Sequence, residues 1–425
     1  MLNELWVVLV AVVFVSLNGL TMLAWAASQG YKMKPTAFAF LVGAVGNLIT
    51  GSVTPISGQS SILTVSHFIK NINERVAALL LAVIVMIPLG LTGSVTMIAD
   101  FAGPAVINGM MAGVGLMVTG IALDMFKNSR EKEHIQSLAV ADGIKRFYSI
   151  QAMRTGTISI VSGMATWVVF QGHPNALVYV IAISVTLSSL DYIFLQRDYT
   201  TGKYGRRVNI ASLAKDSGYE GDIEQNENPR FWTTEFWEDF KLIKPKFGFN
   251  AVYFALAFIS LNIGTNIAFG NITAGMAGYV QNMDHLTVIN SLADVPSVIL
   301  GGAPVGAIIS ATAASPWPVM AGVMMMLFCA VLLFLGLMTR ATKYIPIQSI
   351  AGFLFIIGFF STFIPNLRNA VMAGMDAYVT GSPVDAAFAL AATILTKNPF
   401  LGIVAGVSVR YIGGYVLGPI MFVWN

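Results

Sequence analysis

The sequence predicts an all-α polytopic membrane protein with fourteen transmembrane segments in a seven-plus-seven inverted repeat. Three observations carry that prediction: a composition too apolar for water, a series of span-length apolar runs, and a likeness between the two halves of the chain. Of 425 residues, 56% are hydrophobic and 11% charged, and the mean hydropathy is +0.73. Soluble domains carry roughly 25% charged residues, so a surface of this composition faces lipid. The formal net charge of +3 leaves no footprint for nucleic acid. The single cysteine, Cys329, lies in an apolar run, which excludes a disulfide framework and a cysteine-based metal site.

A helix crosses the hydrocarbon in about 20 residues. The first run, Trp6 to Ala27, ends on small residues as a secretory signal does. No Lys or Arg precedes it, and it exceeds a signal core of about 7–15 residues, so it is expected to be a retained span. Further long runs follow at 35–52, 76–97, 104–125, 150–171 and 176–196, then at 249–270, 318–339, 345–364 and 399–423. Shorter or interrupted runs lie at 58–69, 284–297, 304–315 and 383–396. The chain therefore divides into a first repeat (1–196), a polar connecting loop (197–248) and a second repeat (249–425). Within the loop, Phe231 to Phe240 reads as an amphipathic helix on the membrane surface or against the bundle.

Lys and Arg gather in the odd-numbered connections. Lys32 and Lys34 lie in the first, Lys70 and Arg75 in the third, Lys127, Arg130, Lys132, Lys145 and Arg146 in the fifth, and nine more in the seventh. Arg340, Lys343 and Lys397 continue the series, with Arg368 the exception. The positive-inside tendency then makes the odd connections cytoplasmic and puts both termini outside. The expected location is a bacterial-type inner membrane.

Pro55-Ile-Ser-Gly-Gln-Ser-Ser-Ile, Pro88-Leu-Gly-Leu and Gly103-Pro104 in the first half echo Pro304-Val-Gly-Ala-Ile-Ile-Ser310, Phe334-Leu-Gly-Leu and Ile345-Pro346 in the second. An odd number of spans per half inserts the halves with opposite orientation, as in many secondary transporters. The short third and tenth segments are rich in Gly, Ser, Thr and Pro. Irregular backbone at membrane depth is tolerated only where protein or a watery cavity buries it, and broken segments leave N–H groups free to hold polar or anionic groups. Gln59, Ser60 and Ser61 on one side, and Ser310 and Thr312 on the other, are thus candidates for lining a solute site, against a plain packing role for small residues. Asn262, Thr265 and Asn266 form a second polar group within an apolar stretch, and Asn18 sits midway along the first span. Asp294 is the coupling candidate, since an intramembrane ionisable residue is a functional hypothesis by default, although a helix-end role suits it as well. Asp124 and Asp191 fall near span ends, and Arg410 is expected to snorkel or to pair with a buried carboxylate.

No enzyme constellation is visible. His67, His134, His173 and His285 lie at span ends or in loops without ligand spacing, and no phosphate-binding Gly-Lys-Ser/Thr motif occurs. The expected partners are a small-molecule solute and the lipid bilayer, with no cofactor and no metal.

Several of these motifs resemble those of the xanthine/uracil permease group of nucleobase:cation symporters, whose fold is shared with sulfate/anion permeases and borate/bicarbonate transporters. Gln59-Ser-Ser-Ile resembles that family's Gly-Ser-Ser-Phe element, and the spacing from Asn290 through Gly302 to Pro304 resembles its run before the tenth segment. Phe101-Ala-Gly-Pro104 with Gly109, and Ile345-Pro-Ile-Gln-Ser-Ile-Ala-Gly352, resemble the starts of its fifth and twelfth segments. The resemblance implies a core of segments one to four and eight to eleven, a gate of the others, solute between segments three and ten, and a homodimer. It also implies two solute-binding carboxylates, which fall here at Leu261 and Ser310. Neither nucleobase specificity nor proton coupling transfers across that departure. Termini outside also conflict with the family's usual orientation. The expectation is a secondary active transporter of a small polar solute, nucleobase-like first, with proton or sodium as coupling ion. Small-anion transport of the sulfate-permease type and an uncoupled channel are the alternatives.

Overall fold

The computed structural model describes residues 2–28, 30–58, 69, 71–127, 142–200, 240–337, 345–375 and 383–416. Gln59, Ser60, Ser61 and residues 231–239 of the aromatic cluster lie outside them, as does the side chain of Asn18 on the first helix.

The first half contains α1 (Leu2–Ser28), α2 (Met33–Thr50), a short strand β1 (Ile56–Gly58), α3 (Ile72–Leu91), α4 (Ser94–Lys127), α5 (Asp142–Phe170) and α6 (Ala176–Thr200). The second contains α7 (Phe249–Ala277), α8 (Met283–Ile299), β2 (Val305–Ala307), α9 (Pro318–Phe334), α10 (Ala351–Phe355), α11 (Ile364–Met375), α12 (Pro383–Thr396) and α13 (Pro399–Val416). A π-helical stretch, Ile356–Phe363, joins α10 to α11. Among the described residues, six helices are long and apolar enough to cross a membrane, and shorter apolar helices accompany them. The fold is thus a polytopic helical membrane bundle, as composition required.

Two element boundaries depart from the sequence reading. The run 76–97 ends as a helix at Leu91, because Gly93 takes a left-handed φ of 76° there. The next helix then starts at Ser94 and breaks at Gly103, whose φ of 76° and ψ of 165° are non-helical. Pro104 resumes the helix at the position where its missing N–H costs nothing. Arg410 on α13 donates to the carbonyl of Ala102 at 3.2 Å, meeting an acceptor that the break leaves without a helical donor.

Packing sorts the helices into two groups. α1, α2, α3, α7, α8 and α9 pack with one another and around both strands. α4, α5, α6, α10, α11, α12 and α13 form the other group, with the π-helical stretch seated on α4. These match the expected core and gate. Glycines allow the closest approaches: a Cβ on Gly115 of α4 would stand 2.6 Å from the Phe363 nitrogen and 2.7 Å from the Gly358 carbonyl oxygen. Small residues at such crossings let helix backbones meet in lipid, where no water drives association.

Within the first group, the strands are the joint of the repeat. α2 ends on Gly51 with φ 69° and leads to β1; α8 ends before Gly301 with φ 83° and leads to β2. The strands pair antiparallel, Ile56 opposite Ala307, Ser57 opposite Gly306 and Gly58 opposite Val305. One strand from each half, running antiparallel, is the relation that a two-fold axis in the membrane plane would generate.

Candidate functional site

Backbone that leaves the helix in a membrane needs a partner for every polar group, and the residues around the strands supply them. Asn47 donates to the Thr54 carbonyl at 2.8 Å, and the Ile308 N–H reaches the Pro55 carbonyl at 3.2 Å. The Ala303 N–H donates to the Thr36 hydroxyl at 2.8 Å, while Ser297 donates to the Ala303 carbonyl at 2.8 Å. Val305, the first residue of β2, donates its N–H to Asp294 Oδ1 at 2.7 Å. Thr273 of α7 donates to the Ile308 carbonyl at 3.1 Å. Ser57, on β1, is buried and its hydroxyl has no hydrogen-bond partner among the described residues.

Ser310 and Thr312 lie just past β2, both fully buried. Their hydroxyls share a 2.7 Å hydrogen bond, and Ser310 also accepts the Thr312 N–H, capping the short 3₁₀ turn Ala311–Ala314. Both neutral hydroxyls thus stand beside the strand pair. No ionisable residue falls between Ala303 and Pro318.

The second polar group is a relay between α7 and α8. Thr287 spends its proton on the Met283 carbonyl at 2.8 Å, so it accepts from the Asn266 amide nitrogen at 3.0 Å. That orientation turns Asn266 Oδ1 toward Asn290, whose amide nitrogen donates to it at 2.6 Å. Thr265 bonds back to the Leu261 carbonyl at 2.8 Å, one turn earlier in its own helix. Asn266 and Thr265 are therefore engaged by protein, whereas Asn262 lines a small cavity with Asn290, Ser291 and Asp294. The cavity, about 10 Å³, is closed on its third side by aliphatic side chains of α3. Asp294 is buried and, instead of capping its own helix, pins β2.

Three of these residues escaped the site reading of the sequence: Asn290, Ser291 and Ser57. A signal existed for Asn290, which stands four residues before Asp294 and so shares its helix face. Of the interfacial candidates, Asp191 pairs with Arg154 at 2.6 Å.

This architecture defines a class: a two-group membrane bundle built around paired, broken segments from inverted halves. The overall structure of SLC26A9 superposes on 96% of this chain with a TM-score of 0.50 and 12% identity, the chain spanning 64% of SLC26A9. The transmembrane domain of a cyanobacterium bicarbonate transporter, BicA, aligns over 96% of this chain and 98% of its own length, with 14% identity and a TM-score of 0.49. At such identities the likeness is one of fold. The sequence matches no protein-family profile and no curated protein, and what the structural likeness supports of the xanthine/uracil permease resemblance is the shared fold.

Proposed function

We propose that this chain is a secondary transporter that carries a small anion across the bilayer by alternating access, the core group moving against the gate group. The observation that carries this reading is the β1–β2 pair: two broken segments, one from each half, meeting inside the bundle with neutral hydroxyls of Ser57, Ser310 and Thr312 beside them. Hydroxyl and backbone N–H donors suit negative charge. The two positions where a nucleobase permease would place carboxylates are Leu261 and Ser310, which places small anions above nucleobases. The Lys and Arg distribution supports an orientation with both termini outside.

Uptake into proteoliposomes tests the reading directly. Labelled bicarbonate, sulfate and uracil are offered with and without imposed proton or sodium gradients. Saturable uptake of an anion, accelerated by one gradient, is expected. Saturable uptake of uracil alone would return the nucleobase reading, and non-saturating anion flux indifferent to gradients would favour a channel.

A further inference from the structure

The cavity between α3, α7 and α8 has a lining that asks for a cation. Its size is that of a single water-sized particle. The relay from Thr287 through Asn266 fixes which end of each amide faces where, because a threonine has one proton and an amide nitrogen cannot accept. Asn290 therefore presents its oxygen, and that Oδ1 is buried without a hydrogen-bond partner among the described residues; the residue is 3% exposed. Leaving such an acceptor unmet is costly, because the water it gave up on burial is not replaced.

Asp294 stands one turn further along the same helix face and lines the same cavity. Its Oδ1 takes the Val305 N–H, but a carboxylate has room for about four hydrogen bonds. Asn262 and Ser291 add an amide and a hydroxyl. No Lys, Arg or His among the described residues lines the cavity. A buried carboxylate and a bare amide oxygen lining one cavity, with no basic partner among the described residues, call for a positive charge held by oxygen ligands. One carboxylate balances one charge, and hard oxygen donors in a cavity this small suit a small alkali cation.

We propose that Asn262, Asn290, Ser291 and Asp294 form a binding site for one monovalent alkali cation of sodium size. The site lies on the α3 side of α8 and is separate from the strand pair, yet Asp294 joins the two through Val305. Filling it neutralises the carboxylate that holds β2, so cation binding would favour an anion beside β2. That coupling role rests on the transport reading; the binding itself does not.

The test is therefore a binding measurement without transport. Thermal unfolding of the purified full-length chain is followed at constant ionic strength while sodium replaces choline, with potassium and pH titrations run in parallel. A ligand that binds only the folded state raises its midpoint in step with concentration over affinity. The expected result is a saturable rise with sodium, smaller with potassium. Asp294→Asn, which keeps an acceptor for Val305, should shift the sodium half-effect upward at least about tenfold, one decade being about 1.4 kcal/mol. Ser291→Ala, a milder change should Asp294→Asn fail to fold, should weaken it severalfold. A wild-type midpoint equal in sodium and choline overturns the site, as does one that responds to acid but not to sodium, which would make Asp294 a proton carrier.

Discussion

Asp284, in the first turn of α8, accepts the backbone N–H of Val95 on α4 at 2.9 Å and that of Thr96 at 3.2 Å. A core-group carboxylate thus caps a gate-group helix from outside its own chain segment. The first N–H groups of a helix have no internal partner, and the positive end of the helix dipole favours an anion there. Asp284 is 8% exposed, so solvent offers little substitute. Asp284→Ala is expected to destabilise the protein by roughly 1–2 kcal/mol, in the range of lost helix caps. Asp284→Asn, which keeps the acceptor and loses the charge, should cost less. Thermal unfolding of both variants in detergent checks the order; equal midpoints for Asp284→Ala and wild type would remove the cap from the account.

The glycines of α4 give a paired prediction. Gly115 meets the π-helical stretch backbone to backbone, with Phe363 and Gly358 as neighbours, while a Cβ on Gly120 would meet nothing within 4 Å. Backbone cannot yield as a flexible side chain can. Gly115→Ala should destabilise by about 1–3 kcal/mol through overpacking, whereas Gly120→Ala should be neutral or mildly stabilising. If the two substitutions shift the midpoint alike, the close approach of α4 to this stretch is not what holds the gate group together.

Apolar periodicity made the spans legible, since lipid imposes length and composition on every one of them. The end of α3 was less so, although Thr92-Gly93 and Gly103-Pro104 carry the signal: both glycines take backbone conformations that other residues resist. Nothing in residues 345–364 announces a π-helical stretch, because it answers to packing against Gly115, a contact between halves of the chain. The same limit applies to the site. Asp294 stood out as an ionisable residue within a short apolar segment, and Asn266 as a buried amide. That Asn266 orients Asn290, leaving its oxygen unpartnered in a residue that lines one cavity with Asp294, depends on the register between α7 and α8, which one sequence does not encode visibly.

Orientation in the membrane yields a third prediction. The turn at His173 belongs to an even connection and the end of α12 at Thr396 to an odd one, and both residues are exposed. In a Cys329→Ala background, His173→Cys should react with a membrane-impermeant thiol reagent added outside right-side-out vesicles. Thr396→Cys should react only once the membrane is opened. The reverse pattern would turn the termini inward and set aside the charge-bias argument.

The charge of the transported solute can be read at Ser310. It is fully buried, lies just past β2 and, on the permease resemblance, corresponds to a carboxylate position. Ser310→Asp and Ser310→Asn add nearly the same volume and both keep an oxygen able to accept the Thr312 N–H, so they disturb packing alike. They differ by one negative charge beside the proposed site. At an effective dielectric of about 20, like charges 4 Å apart repel by about 4 kcal/mol. Anion uptake by Ser310→Asp should therefore fall at least tenfold below that of Ser310→Asn at neutral pH, with monodispersity confirming that both variants fold. Acidifying the assay should narrow the gap, because protonating the new carboxyl removes the repulsion. Equal losses in the two variants would assign Ser310 to packing and leave the anion without a place beside β2.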